Sequence, residues 1–206
     1  MNRLLHIIAS PRGLLSRTLA LSRAFFDELI SRYPGLIIDE LNVFTENLPE
    51  IVEETVEGKY ILLGGKPIPP ELNNQWKQIE AFINRFMVAD TIVLSTPMWN
   101  FGMPYKLKQL FDGIIQPRYL FRYTADGVEG MAKGKKVFVF SSRGGDYSSG
   151  SPAAAMDHLE PHLRTIFRFI GITDLTFLNA QPMDAVSEEQ SKSNLLVAIE
   201  RAKNIL

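Results

Sequence analysis

The chain has 206 residues, 46% of them hydrophobic and 22% charged, a composition typical of one globular domain spanning residues 1–206. Its 22 basic and 23 acidic residues nearly cancel, which argues against a nucleic-acid partner. The chain has no cysteine, which excludes disulfides, thiolate metal sites and cysteine catalysis. No stretch approaches the ~18 apolar residues of a membrane span, so we expect a cytoplasmic protein with no membrane partner.

The first elements alternate between strand and helix. The apolar run 4–9 predicts a strand buried on both faces. Apolar residues spaced by three and four over 15–30 predict a helix, which Pro34-Gly35 follows as a breaker pair. Residues 36–43 predict the second strand.

The segment 44–71 fits no regular element. It is rich in glycine and proline and carries several acidic residues, which favour a solvated face over a metal site. A long irregular insert in a compact domain is either a functional flap or a tolerated loop, and the pattern leaves both open.

Regular patterns return after this segment. An apolar stripe over 72–86 predicts a helix, 91–95 predicts the third strand, and 107–114 predicts another helix. Alternating aromatic residues and the turn signal Asp126-Gly127 predict a small hairpin near 118–130.

The last third of the chain repeats the alternation. Strands are predicted over 136–141 and 175–179, separated by a helix over 159–170. Ser187 and Gln190 form the pattern of a capping box and predict the start of a final helix. Five buried strands with intervening helices predict an α/β protein with a parallel sheet covered on both faces.

The first of three candidate ligand-binding loops follows strand one. Ser10, Ser16 and Thr18 offer hydroxyl groups, and Arg17 offers charge, at the start of a helix whose free N–H groups suit phosphate. The glycine patterns of dinucleotide sites and P-loops are absent. A monophosphate remains, although a serine at a helix start is more often simply an N-cap.

The second loop follows strand three and has unusual composition. Met98, Trp99, Asn100 and Phe101 place apolar and aromatic surface beside one amide, between two prolines. Such a surface suits a flat aromatic ligand, and the alternative is that these aromatic rings fold into the core.

The third loop follows strand four and contains Ser142, Arg143, Gly144 and Gly145. Its glycines permit close backbone approach and present N–H groups to negative charge, although a Gly-Gly turn is also common. The ends of parallel strands share one sheet edge, so a phosphate site, an aromatic surface and backbone donors converge. Together they describe a site for flavin mononucleotide (FMN).

Several long motifs also carry a family resemblance. The segments TPMWNFGMPYKLKQLFD, FRYTADGVEG, GKKVFVFSSRGG and FRFIGITD resemble the FMN-dependent NADH:quinone oxidoreductases known as azoreductases. The resemblance implies a flavodoxin-like fold with strand order 2-1-3-4-5. It also implies a homodimer that uses NADH or NADPH for two-electron, ping-pong reduction of quinones and azo compounds. The family usually has tyrosine at the position of Trp99.

The resemblance implies specific residue roles. No side chain is expected to act as a catalytic nucleophile or base, because the flavin carries the chemistry. The acceptor is expected near Phe121 and Tyr123, which are alternatively interface or hairpin packing. The cofactor-binding residues implied are Ser10, Ser16, Arg17 and Thr18 at the phosphate and ribityl chain; Met98, Trp99, Asn100 and Phe101 at the ring; and Ser142, Arg143, Gly144 and Gly145 at its pyrimidine end.

Two further interpretations remain open at this stage. The chain is alternatively a flavodoxin-like electron carrier or FMN-binding module without its own substrate pocket, or a flavin-free interaction protein. His158 and His162 are spaced as on one helical face, but without a third ligand nearby we expect no metal site. His6 is expected to be buried in the first strand.

Overall fold

A five-stranded parallel sheet organises the computed structural model, which describes residues 2–206. None of the helices within that range is both long and apolar enough to cross a membrane. The helices and strands are β1 (Arg3–Ile8), α1 (Arg17–Arg32), β2 (Ile37–Asn42), α2 (Glu53–Leu63), α3 (Asn73–Val88), β3 (Thr91–Pro97), α4 (Tyr105–Ile114), β4 (Phe121–Thr124), β5 (Gly127–Gly130), β6 (Lys136–Ser142), α5 (Glu160–Phe169), β7 (Asp174–Ala180) and α6 (Glu188–Lys203).

The sheet order is β2-β1-β3-β6-β7, and β4 and β5 form a separate antiparallel hairpin. Counting only the five main strands, this is the order 2-1-3-4-5, so the predicted fold and the predicted hairpin are confirmed. The order reverses beside β1, and open α/β sheets bind ligands at the carboxyl ends of their strands at such a switch point.

Each face of the sheet packs against its own group of helices. On one face, α1 and α6 cover the sheet, and the buried side chains include Phe25, Leu29 and Ala202. On the other face, α3, α4 and α5 bury residues such as Trp76 and Phe167. Burial on both faces explains why the strands read as continuous apolar runs.

Strand register brings the three predicted loops to one edge. Ile8 pairs with Ser95, and Pro97 pairs with Ser142, so β1, β3 and β6 end close together. The main chain continues this alignment past the strand ends, because the N–H of Met98 donates to the carbonyl of Ser142 over 3.0 Å.

The expectation that residues 44–71 form no regular element was wrong, because α2 occupies Glu53–Leu63. Thr55 Oγ1 accepts the N–H of Val52 over 2.9 Å at the helix start. Gly58 in its middle lies against the indole of Trp76, which a Cβ at that position would overlap. A long-range contact therefore explains the glycine that made this segment look irregular.

Other local predictions held. Ser187 caps α6 by accepting the N–H of Gln190 over 3.2 Å. Gly171, two residues after the end of α5, adopts a left-handed φ of +93°, a conformation that favours glycine after a helix. His6 is buried in β1, as expected.

Candidate active site

A cavity of about 170 Å³ lies where β1, β3 and β6 end. Nine of the twelve predicted cofactor residues line it, and all three predicted loops contribute. These nine residues are Ser10, Ser16, Arg17, Thr18, Met98, Trp99, Ser142, Arg143 and Gly144. The cavity is also lined by Pro11, Arg12, Pro97, Met183 and Asp184.

The start of α1 forms one wall of the cavity. Ser16 is the N-cap of α1, and its Oγ accepts the N–H of Leu19 over 3.2 Å. Ser16 therefore does act as a helix cap. The hydroxyl hydrogen of Ser16 is still free to donate to an anion. Thr18 Oγ1 lies 2.8 Å from Ser142 Oγ, which joins the helix start to the end of β6.

Residues 99–102 form a tight turn beside the cavity. The N–H and C=O groups of Trp99 and Gly102 exchange two hydrogen bonds of 2.9 Å each. Asn100 and Phe101, at the two central positions, have φ of +45° and +69°, which is the pattern of a type I′ turn. Asparagine tolerates this conformation, whereas phenylalanine is strained in it.

This turn holds its aromatic side chains partly exposed. Trp99 lines the cavity and lies 5.7 Å from the ring of Phe44, centroid to centroid. Phe101 is about as exposed as Trp99 and contacts Tyr147 edge to face. The alternative that both aromatic rings fold into the core is therefore wrong, although Asn100 and Phe101 do not themselves line this cavity.

The loop after β6 is built around the carbonyl of Gly144. That oxygen accepts the N–H groups of Met183, Asp184 and Ala185 over 2.9–3.0 Å. A Cβ on Gly144 would lie 3.1 Å from Asp184 Oδ2, and one on Gly145 would meet the ring of Tyr147. Neighbouring side chains thus lie close to both glycines, and Gly145 does not line the cavity.

The side chain of Arg143 is almost fully buried, with 1% exposed. Its guanidinium donates to Asp157 Oδ2 over 2.7 Å, to Ser141 Oγ over 3.1 Å and to Glu160 Oε2 over 3.5 Å. These bonds direct it toward α5. The contact of Arg143 with a flavin therefore stays a prediction. The main chain of Arg143 fits such a contact better than its guanidinium does.

Two predicted acceptor residues lie elsewhere. Phe121 is 4% exposed and packs on Phe169, and Tyr123 is an exposed residue of the hairpin. Phe121 thus packs within the protein beside the hairpin, which is the alternative role named above. Neither Phe121 nor Tyr123 lines the cavity. The role of both at an acceptor site stays a prediction.

The two later histidines do not share a helix. His158 precedes α5, and its N–H donates to the carbonyl of Phe101 over 2.9 Å. Burial and the nearby Lys108 lower the pKa of His162, while Asp112 opposes the shift. Within residues 2–206, no group of three or more histidines and carboxylates is arranged to hold a metal ion.

Sequence reasoning missed Met183 and Asp184 as cavity residues. They follow β7, whose loop carried no recognisable motif. They reach the cavity because the hydrogen bonds to Gly144 fold that loop back over β6. No local signal marks a contact between residues so far apart in the chain.

Comparison with known proteins agrees with this geometry. A family profile described as flavodoxin-like fold matches residues 2–206. An FMN-dependent NADH:quinone oxidoreductase of Nitratidesulfovibrio vulgaris is 34% identical over 205 residues, which cover 100% of this chain and 98% of that protein. FMN-dependent NADH:quinone oxidoreductase 2 of Pseudomonas syringae is 42% identical over 169 residues, covering 82% of this chain and 81% of the relative.

A solved structure supports the fold. The crystal structure of an azoreductase from Bacillus anthracis matches with a TM-score of 0.90 at 23% identity, covering 100% of this chain and 98% of that one. The sheet order and the cavity at its switch point define a flavodoxin-like α/β protein. Within that class, the chain belongs to the family of the FMN-dependent NADH:quinone oxidoreductases.

Proposed function

We propose that the protein is an FMN-dependent oxidoreductase that uses NAD(P)H to reduce quinones and azo compounds in the cytoplasm. The observation that carries this proposal is the shared cavity, in which loops from three strand ends meet. The similarity to the named quinone oxidoreductases over nearly the whole chain supports it.

The residues present fit the phosphate end of FMN. Ser10, Ser16 and Thr18 supply hydroxyl groups, Arg17 supplies a cation, and the start of α1 supplies free N–H groups. The helix itself has no acidic residue in its first turn. Polar donors of this kind suit a monophosphate ester.

The other two loops fit the ring system. Trp99 and Met98 present apolar surface to the cavity, and Gly144 presents main chain without a side chain. When bound, FMN supplies the two-electron chemistry. The protein's own task would be to hold the ring and to offer the main-chain N–H of Gly144, which lines the cavity, to negative charge at its pyrimidine end; Gly145, predicted to share this role, lies just outside the cavity.

The test is anaerobic reduction of the protein reconstituted with FMN. We expect NADH or NADPH to bleach the visible flavin band rapidly and a quinone to restore it. Stable FMN binding without reduction would indicate the electron carrier instead. Failure of the protein to bind FMN would contradict the proposal outright.

Asn100 offers a sharper test of the ring site. Asn100→Ala removes the amide and also disfavours the left-handed turn, so FMN binding should weaken by ~1–2 kcal/mol. Asn100→Gly removes the amide but keeps the turn. We expect both variants to weaken FMN binding in a fluorescence titration. A glycine variant that binds like the wild type would contradict a role for the amide.

The proposal includes a homodimer that covers the face beside the cavity. Two adjoining grooves, of about 610 and 880 Å³, run along this face and share Ile51, Lys108, Asp112 and His162. Tyr60 and Tyr105 are exposed there, and Trp99 lines both one groove and the cavity. An exposed apolar face of this kind is typical of a protein interface. A partner seated on it would approach the cavity.

Tyr60→Glu should therefore weaken the dimer. Its side chain is 69% exposed in the isolated chain, so the charge should leave the monomer fold intact but should be costly to bury between subunits. Leu196→Glu is the matched control, since Leu196 is 66% exposed on α6, on the opposite face. Sedimentation should show monomers for Tyr60→Glu only. An unchanged assembly in both variants would contradict this interface.

A further inference from the structure

Arg17 stands at an unusual place for a cation. It is the first residue of α1, where the helix dipole is positive and disfavours positive side chains. No acidic residue of the first turn offsets it. The compensating anion comes from a distant loop, because Arg17 Nη1 donates to Asp184 Oδ1 over 2.6 Å.

The position of Asp184 is set by its main chain. The N–H groups of residues 183–185 all donate to the carbonyl of Gly144, which brings the loop after β7 onto the loop after β6. The carboxylate then lies above Gly144. Asp184, Arg17 and Ser16 line the same cavity. An acidic side chain thus lies within the site that we assign to a phosphate.

We propose that Asp184 and the phosphate of FMN compete for Arg17, so that Asp184 lowers the affinity for the phosphorylated flavin. This inference rests on the proposed function. The guanidinium of Arg17 pairs either with the carboxylate of Asp184 or with the phosphate. The two anions repel each other when both are near, so that binding of the phosphate displaces the carboxylate.

Exchange between the two partners is physically easy. The side chain of Asp184 is 70% exposed, and exposed ion pairs contribute little to stability. The carboxylate therefore leaves Arg17 for water at low cost. The displaced carboxylate loses its pairing with Arg17, and only a ligand that brings a phosphate to Arg17 imposes this cost. Riboflavin has the same ring without the phosphate, so it does not compete with Asp184 for Arg17.

The test compares FMN with riboflavin on the flavin-free protein, using quenching of flavin fluorescence. Asp184→Asn should tighten FMN binding roughly two- to fivefold, the range that an exposed ion pair contributes, and should leave the Kd for riboflavin unchanged. Asp27→Asn is the matched control, because it removes the same charge from an exposed position on α1, roughly 15 Å along the helix. This control should change neither Kd.

A double variant isolates the competition. In an Arg17→Met background, Asp184→Asn should lose most of this gain, because there is no cation left to compete for. A full gain in that background, or equal changes for FMN and riboflavin, would overturn the inference. Normal FMN binding by the wild type with no effect of Asp184→Asn would overturn the inference alone. Absence of FMN binding by the wild type would overturn the proposed function as well.

Discussion

Replacing Arg143 by methionine is expected to destabilise the protein by about 3–5 kcal/mol, the cost of removing one partner from a buried ion pair. The guanidinium is buried and bonds Asp157 and Glu160. Asp157 also accepts the N–H groups of Leu159 and Glu160 at the start of α5. Loss of Arg143 thus leaves the partly buried carboxylate of Asp157 without its cation and loosens the link between the β6 loop and α5. Urea denaturation monitored by circular dichroism measures the effect.

Arg164 provides the matched control for this prediction. It bonds the same Glu160 at 2.6 Å, but its side chain is 36% exposed, against 1% for Arg143. Arg164→Met should therefore cost about 1 kcal/mol or less. Similar losses in the two variants would show that burial does not decide the contribution of this network. Arg143→Lys should fall between them, since lysine keeps the charge without the planar fork.

The Arg143 network should also affect the cofactor site indirectly. Arg143 is a positioning residue, because its side-chain bonds to Asp157 and Glu160 anchor the loop in which Gly144 lies. The main chain of Arg143 bonds the loop after β7: its N–H donates to Ala180 and its carbonyl accepts from Met183. At a temperature where Arg143→Met remains folded, FMN should bind more weakly than to the wild type. Arg143→Lys should restore part of that affinity. Unchanged FMN binding in the methionine variant would contradict the positioning role.

The second large effect is a loss of stability at acidic pH that originates at His6. Burial lowers the pKa of His6 from 6.5 to about 4, so the folded protein keeps this imidazole neutral. Its Nε2 lies 2.9 Å from Ser95 Oγ, and the exposed Glu40 lies 3.8 Å from Nδ1, where water screens it. The neutral ring thus sits inside the sheet that positions the cavity.

The sign follows from proton binding. Between pH 6.5 and pH 4 the unfolded chain binds a proton at His6 that the folded protein does not bind. The contribution of His6 is therefore complete above pH 6.5 and is lost as the pH falls toward 4. From pH 7 to pH 5, the free energy of unfolding should fall by about 2 kcal/mol through this group.

His6→Gln serves as the control for the pH effect. Glutamine does not titrate, and its amide still offers a hydrogen-bonding group near Ser95. The pH dependence of this variant, measured by denaturant titration at pH 5, 6 and 7, should be flatter than that of the wild type by that amount. Parallel curves for the two proteins would show that His6 does not contribute to the acid sensitivity.

Much of the architecture is local in origin and therefore readable from the sequence. Apolar runs such as 4–9 and 136–141 predict strands buried on both faces, and the structure places β1 and β6 within one residue of those limits. Ser16 and Ser187 mark helix starts because a serine oxygen accepts an N–H three residues ahead. Such contacts involve neighbours in the chain.

The site is partly local as well. Its three loops were recognised because each follows a predicted strand, and parallel strands place their carboxyl ends at one edge. The conformation of Asn100 and Phe101 was not predicted. Their positive φ values depend on the paired hydrogen bonds between Trp99 and Gly102, which sequence composition does not reveal.

The chain's own sequence determined the layered α/β fold, the edge at which the cavity lies and most residues of that cavity, because periodicity and capping act over a few residues. Only the tertiary structure decided that Gly58 belongs to a helix seated on Trp76. Only tertiary contacts decided that the guanidinium of Arg143 points toward α5. The tertiary structure also placed Asp184 beside Arg17, 167 positions away. These outcomes depend on distant partners that become neighbours only after the chain has folded.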